Sequence, residues 1–269
     1  MKKNNISMIK ATTCIFATMA GLASTASAAI VITPGGATSP GGIEVNGGST
    51  LTWTDTETAN DQRILNIDGA GSTFIMVSGV MTVGQNPVLE NTGGYLKVQN
   101  GGEVQISGGS FTWDGRPTGG GTIQVIGNAA TINGWQLINA MTYEFEFSTS
   151  GISTINVGDK FSAGLSASNY SMLDVDVAAY DFSGLAPSAS QSFTLFDTVS
   201  LSDGFTMANV TVTGLSADDY SYELVQDVGG LINGTGDISF VVTAVPEPGT
   251  YALMGGLLAF GWVMMRRRV

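Results

Sequence analysis

The sequence has no histidine and a single cysteine. Without histidine, Ser-His-Asp and Cys-His nucleophile systems fall away, as does every imidazole metal ligand. The one cysteine, Cys14, lies near the N-terminus in an Ala-Thr-Thr-Cys context that does not suit a lipoprotein site. Beyond it there is no thiol for a disulfide, a thiolate metal site or a haem attachment. An oxidising compartment permits disulfides without requiring them, and a chain of this length can bury a core without covalent staples. Basic residues are nearly as scarce. Between residues 29 and 245 only Arg63, Lys97, Arg116 and Lys160 are basic, against 21 acidic residues, a net charge near −17 where the whole chain carries −12. So negative a surface repels phosphates, which excludes nucleic-acid binding. It also repels anionic polysaccharide unless divalent cations bridge the two. Long amphipathic runs are missing too, so few helices are expected.

What is present begins with two distinctive ends. Lys2, Lys3 and Lys10 precede and flank an apolar, small-residue stretch over residues 11–23, followed by Ala26-Ser27-Ala28. A basic start, a short apolar core and a small-x-small exit make a secretory signal, with cleavage between Ala28 and Ala29. The core is shorter than the roughly 20 residues a membrane span needs. At the other end, Val245-Pro246-Glu247-Pro248-Gly249-Thr250 reads as a rigid stretch incompatible with helix, since each proline removes a donor and restricts its neighbour. Residues 251–265 carry no charge, and Arg266, Arg267 and Arg268 follow directly. Counted from Gly249, the apolar length is near the lower bound for a transmembrane helix. The arginines would stay on the cytoplasmic side, with the bulk of the chain outside. Gly255, Gly256 and Gly261 weaken a helix in water but are common in membranes.

The motif Pro246-Glu247-Pro248, then a short span, then the terminal arginine cluster, together resemble the tripartite sorting tail of the PEP-CTERM family. The resemblance covers residues 245–269. It implies that an integral-membrane enzyme, exosortase, reads the motif and removes the tail. It further implies export through the Sec translocon, a transient stay at the inner membrane through the C-terminal helix, and delivery to the cell surface or extracellular matrix. The implied host is a Gram-negative producer of exopolysaccharide. None of this fixes what the middle of the chain does.

Residues 29–244 are rich in glycine, serine, threonine and asparagine and read as one β-rich extracellular domain. Short runs such as Thr50-Leu51-Thr52-Trp53, Thr73-Phe74-Ile75-Met76-Val77 and Thr122-Ile123-Gln124-Val125-Ile126 are β-branched or aromatic and bounded by Gly or Asn, which predicts strands and tight turns. A weak repeat is visible. Residues 43–53 resemble residues 104–113, and residues 96–106 share the same strand, Gly-Gly corner, strand grammar. A chain that turns after each short strand can stack coil on coil, each burying the face left open by the last. The fold class expected is therefore all-β, a right-handed parallel β-helix, with a β-sandwich or jelly roll as the alternative. The grammar also resembles β-helical passenger regions of secreted and autotransported bacterial proteins. From about residue 140 the Gly-Gly corners thin out and Asp rises, consistent with last coils and a cap or with a second small β-unit.

Candidate chemistry is sparse. Glu144 and Glu146, and Asp174 and Asp176, lie two apart, so each pair shares a strand face, at a spacing that would serve a glycosidase. Their alternate neighbours Tyr143, Phe145, Phe147, Leu173, Val175 and Val177 are apolar, so the simpler reading is apolar in, acidic out. Asp68-Gly69-Ala70-Gly71 and Asn233-Gly234-Thr235-Gly236-Asp237 place oxygen ligands around turns, as weak calcium sites do, though turn chemistry alone favours the same residues. Arg63, Lys97, Arg116 and Lys160 are the only candidate bases for a lyase in the middle region. Trp53, Trp113 and Trp135 suit core packing first and sugar stacking second. The reading that follows is a non-enzymatic surface or matrix protein acting in adhesion or exopolysaccharide association, with no cofactor and weak calcium binding at most. The alternatives are a β-helical carbohydrate-active enzyme, lyase or glycosidase, and a simple membrane-anchored envelope protein.

Overall fold

The computed structural model describes residues 29–33, 41–54, 63–83, 96–113, 117, 119–137, 141–162, 171–227, 236–246 and 248–266. The expected signal segment, with Ala28, lies outside the described residues, and Ala29 opens the first strand. The first strands are β1 (Ala29–Thr33), β2 (Gly41–Asn46), β3 (Thr50–Trp53), β4 (Arg63–Asp68), β5 (Thr73–Met76) and β6 (Val80–Val83). Next come β7 (Leu96–Gln99), β8 (Glu103–Ile106), β9 (Gly109–Trp113), β10 (Thr122–Ile126), β11 (Ala130–Leu137) and β12 (Thr142–Glu146). Last are β13 (Ile155–Ser162), β14 (Met172–Asp176), β15 (Ser190–Asp203), β16 (Val210–Thr213), β17 (Tyr220–Gln226) and β18 (Ile238–Ala244). A single α-helix among the described residues, α1, covers Pro248–Arg266. The fold is all-β, as expected from the short bounded runs.

Three sheets result. The first has the order β1-β2-β4-β7, the second β16-β14-β12-β10-β8-β5-β3, and the third β17-β18-β15-β13-β11-β9-β6. From β4 to β9 the chain visits the first, second and third sheets in turn, twice. From β8 to β15 it alternates between the second and the third. Pairing is parallel except at the two ends of the β region, where β1 meets β2, and β18 meets both β15 and β17, antiparallel. A jelly roll would show antiparallel pairs throughout, and the parallel pairs here are the opposite pattern.

Register explains the core. In the second sheet Phe74, Val104, Ile123, Tyr143 and Leu173 align in one row, and Met76, Ile106, Val125, Phe145 and Val175 in the next. In the third sheet Met81, Phe111, Ile132, Ile155, Phe196 and Ile238 align likewise. All of these are buried, and with Ile43, Val45, Leu65 and Ile67 of the first sheet they form one continuous cluster. Side chains alternate faces along a strand, so a strand of pattern apolar-polar-apolar adds one apolar rung to each row. Aromatic rings supply much of the bulk: Trp53 to Phe74, Phe74 to Phe111 and Phe111 to Trp113 lie 6.4, 6.2 and 5.8 Å apart at their centroids.

The repeat seen in the sequence is used at two different corners. Residues 43–53 and 96–106 turn from the first sheet to the second, through β2–β3 and β7–β8. Residues 104–113 turn from the second to the third, through β8–β9. The corner at Gly109 requires glycine: its φ is +75°, and a Cβ there would meet the Gly79 carbonyl oxygen at 2.6 Å. Gly134 has a different reason. It pairs with Trp113 on the neighbouring strand, and a Cβ would run into the indole, which is wholly buried. Overpacking of this kind costs on the order of 1–3 kcal/mol. Gly134→Ala is therefore expected to lower the unfolding free energy of the chain by about that amount, read from a denaturant titration. A smaller residue at 113 should relieve the clash, so the Trp113→Leu and Gly134→Ala effects should be markedly non-additive in a denaturant double-mutant cycle. Simple addition of the two losses would show that the ring does not press on Gly134.

Candidate functional site

Two features outside the core carry charge or a motif: the outward face of the second sheet, and the tail after β18. On the sheet, β12 and β14 pair in register, placing Glu144 beside Asp174 and Glu146 beside Asp176. Their apolar neighbours Tyr143, Phe145, Leu173 and Val175 are buried, which bears out the apolar-in, acidic-out reading of each strand. Sequence reasoning missed that the two acidic pairs come together. Adjacent strands lie about 4.8 Å apart, so four carboxylates share one patch. Along the same row Gln105 and Gln124 precede Glu144, and Thr211 follows Asp174. An open groove of about 350 Å³ follows these strands, lined by Gln124, Glu144, Glu146, Asp174, Asp176, Thr211 and Thr213 with Phe145 and Val175.

The electrostatics follow from this crowding. Partial burial pushes the Glu144 carboxyl above its ordinary range, and the charges of Glu103, Asp174 and Glu146 push it the same way. Asp176 accepts a hydrogen bond from the Ala178 amide at 2.9 Å, and the Gln105 amide donates to Glu103 at 2.9 Å. Among the described residues, no group of three or more acidic, histidine or cysteine side chains is arranged to hold a metal ion. Chemically, the patch can gather mobile cations without a chelating geometry.

The other candidates separate. Asp68 uses both carboxylate oxygens, accepting from the Asn100 side-chain amide at 2.7 Å and from that of Gln99 at 3.1 Å. These two bonds lock its loop as a turn. Asn233, Gly234 and Thr235 lie outside the described residues. Burial raises the Asp197 carboxyl above its ordinary value, and the nearby charge of Asp237 pushes it the same way. Trp53 and Trp113 are buried, so neither is free to stack on a sugar; the side chain of Trp135 lies outside the described residues. Arg63, Lys97 and Lys160 fall on β4, β7 and β13, with side chains outside the description, as is Arg116 altogether.

At the tail, β18 ends at Ala244, Val245 and Pro246 follow, and α1 begins at Pro248; Glu247 lies outside the described residues. This corrects the expectation that residues 245–250 resist helix throughout. Proline is tolerated in the first helical turn, where its missing N–H has no partner to lose. The apolar side chains of α1 point to solvent all round, with Leu253, Leu257, Leu258, Phe260 and Met265 exposed. Arg266 closes the helix with its guanidinium 4.3 Å from the Trp262 ring centroid, while Arg267 and Arg268 lie outside the described residues. No helix among the described residues is long and apolar enough to cross a membrane. The expected transmembrane span, residues 251–265, falls on α1. Of its 19 residues, the first four are Pro248, Gly249, Thr250 and Tyr251, and three further glycines dilute the apolar run.

Residues 244–268 match the family model of the PEP-CTERM protein-sorting motif. The chain therefore carries this sorting motif. No curated protein and no solved structure matches the chain.

The raised Glu144 carboxyl predicts a pH dependence. A carboxyl raised in the folded state binds its proton more tightly there than in the unfolded chain. It favours folding at low pH, and that contribution is lost as pH climbs past the ordinary carboxylate range, about 4, through the raised value. Glu144→Gln should therefore raise the thermal midpoint at pH 7 by a few degrees and change it little at pH 4. A gain of equal size at both pH values would show that charge crowding is not the cause.

Proposed function

We propose that this chain is an exosortase substrate exported to the cell surface or extracellular matrix, and that its β region serves as a non-enzymatic, polyanionic scaffold there. The observation that carries the reading is the sorting motif at residues 244–268, which begins at the final residue of the last strand of a folded β region. The motif supports export and surface sorting. Processing at Pro246, Glu247 and Pro248 would separate that region from the apolar helix, whose exposed side chains otherwise favour a membrane or a partner.

The same proposal takes the β region to be a solenoid. In-register parallel pairs between strands of successive turns, and a chain that passes from sheet to sheet in a fixed order, support coil-on-coil stacking. A scaffold of this kind offers long flat faces. The acidic patch on the second sheet supports association with an anionic polysaccharide through divalent cations, because carboxylates on both partners can share them.

Mass spectrometry of the native protein from membrane and extracellular fractions tests the sorting reading. The expected mature chain starts at Ala29, ends between Pro246 and Gly249, and is found outside the cell. A chain intact through Val269 and never released would overturn it. Chelation tests the scaffold reading. Stripping divalent cations with a chelator should free the matrix-bound protein, and returning calcium should restore binding. Retention that ignores the chelator would rule out cation bridging.

A further inference from the structure

The way β18 ends points to a constraint on how the tail can be removed. Strand β18 lies between β15 and β17, antiparallel to both. Its final residues are held to the last. Thr243 stands opposite Ser190, with their hydroxyl oxygens 2.8 Å apart. The Ala244 carbonyl accepts from the Ser188 amide at 3.0 Å, and the Ala244 amide donates to Ala189 at 3.0 Å. The Val245 amide donates to the Asp219 carbonyl at 2.7 Å. Ser188 holds a φ of +66° to make its bond, a conformation that a non-glycine residue keeps only when its surroundings enforce it. Pro246 follows at once. It has no amide hydrogen, so the ladder stops there by chemistry. The Pro246-Glu247-Pro248 element of the motif therefore follows directly on two residues, Ala244 and Val245, that the fold holds by hydrogen bonds.

Enzymes that cut peptide chains bind several residues in extended form around the bond they break, and folded strands must open locally to be bound in this way. The amide between Pro246 and Glu247 lies within about 10 Å of Ala244 along the chain. An enzyme gripping even two residues upstream of that bond competes with Ser188, Ala189 and Asp219 for the backbone of Ala244 and Val245. We propose that this clamp gates removal of the sorting tail, the bond becoming cleavable when the last residues of β18 peel from Ser188, Ala189 and Asp219. The step itself breaks one amide bond, with water or an amine taking the acyl carbon and the tail leaving as a free amine. The gate rests on the sorting reading, and adds that the folded β region, not the motif alone, sets the processing rate.

Two changes push the gate in opposite directions while leaving residues 246–268 intact. Six Gly/Ser residues inserted between Val245 and Pro246 move the motif away from the clamp. Cysteines at the paired positions, Ser190→Cys with Thr243→Cys, lock it shut by a disulfide in an oxidising compartment, with no other cysteine beyond Cys14 to compete. Conversion of full-length precursor is followed by pulse-chase in cells that process a second chain bearing such a motif. The insertion should speed conversion, and the cross-linked protein should be processed on the order of tenfold more slowly than the same protein after reduction. Equal rates for the cross-linked and reduced forms overturn the gate while leaving the sorting reading in place. A parent chain that is never processed, in cells that process the second chain, overturns the sorting reading and the gate with it.

Discussion

Register is the constraint on which the rest of this structure depends. Most of the short parallel strands contribute only two inward side chains, too few to make a core alone, and only alignment with the strands on either side turns them into continuous apolar rows. The row Phe74, Val104, Ile123, Tyr143, Leu173 is an example. A slip of one residue would turn Glu144 and Asp174 inward and Tyr143 and Leu173 outward. The cost of burying two carboxylates without partners is far above that of any single contact in the sheet. The same alignment has an outward consequence. What stacks Tyr143 on Leu173 also stacks Glu144 on Asp174 and Glu146 on Asp176. The charge crowding of the outer face is thus a by-product of the register that the core demands, and it persists because each carboxylate keeps access to solvent.

How much of this was legible in the sequence follows from the same physics. Short strands, their inward residues and the corner glycines are local properties, and local alternation displays them. The β class, the burial of Tyr143 and Phe145 and the solvent side of Glu144 and Asp174 were therefore readable. Which strand lies beside which is not local. Residues 43–53 and 104–113 look alike, yet one turns from the first sheet to the second and the other from the second to the third. The grammar of strand, Gly-Gly and strand encodes a corner, not its place in the series. For that reason the four-carboxylate patch could not be assembled from two pairs some 30 residues apart. Gly134 was equally opaque: nothing in its own neighbourhood says that Trp113 lies beside it.

The tail shows the reverse case. Its motif was plain from sequence, because proline chemistry and a run of uncharged residues need no tertiary context. What the sequence misread was the local conformation. Pro248 was taken to exclude helix, but a proline at the first helical position loses nothing, and α1 begins there. Pro246 does stop something, namely the ladder of β18. One residue type thus ends a strand and, two positions on, opens a helix, because a missing amide hydrogen is a defect in a sheet and harmless in a first helical turn.

These two constraints meet at the end of the β region. The parallel sheets could add strands indefinitely, and an open parallel edge invites pairing with another chain. In the third sheet the chain instead reverses, through the antiparallel strands β18 and β17. The aromatic residues Tyr180, Phe182, Phe193 and Tyr220 gather where that reversal occurs, with ring centroids 4.8 to 6.2 Å apart. Phe182 belongs to the buried cluster, and Tyr180, Phe193 and Tyr220 pack against it. Because β18 pairs with both β15 and β17 and leads directly into the motif, loosening its end costs pairing on both sides. A sorting signal on a long flexible linker would be independent of folding. Here the signal is joined to a strand whose Ile238, Phe240 and Val242 lie in the core, so the docking of that strand and the position of the motif's first residues are coupled.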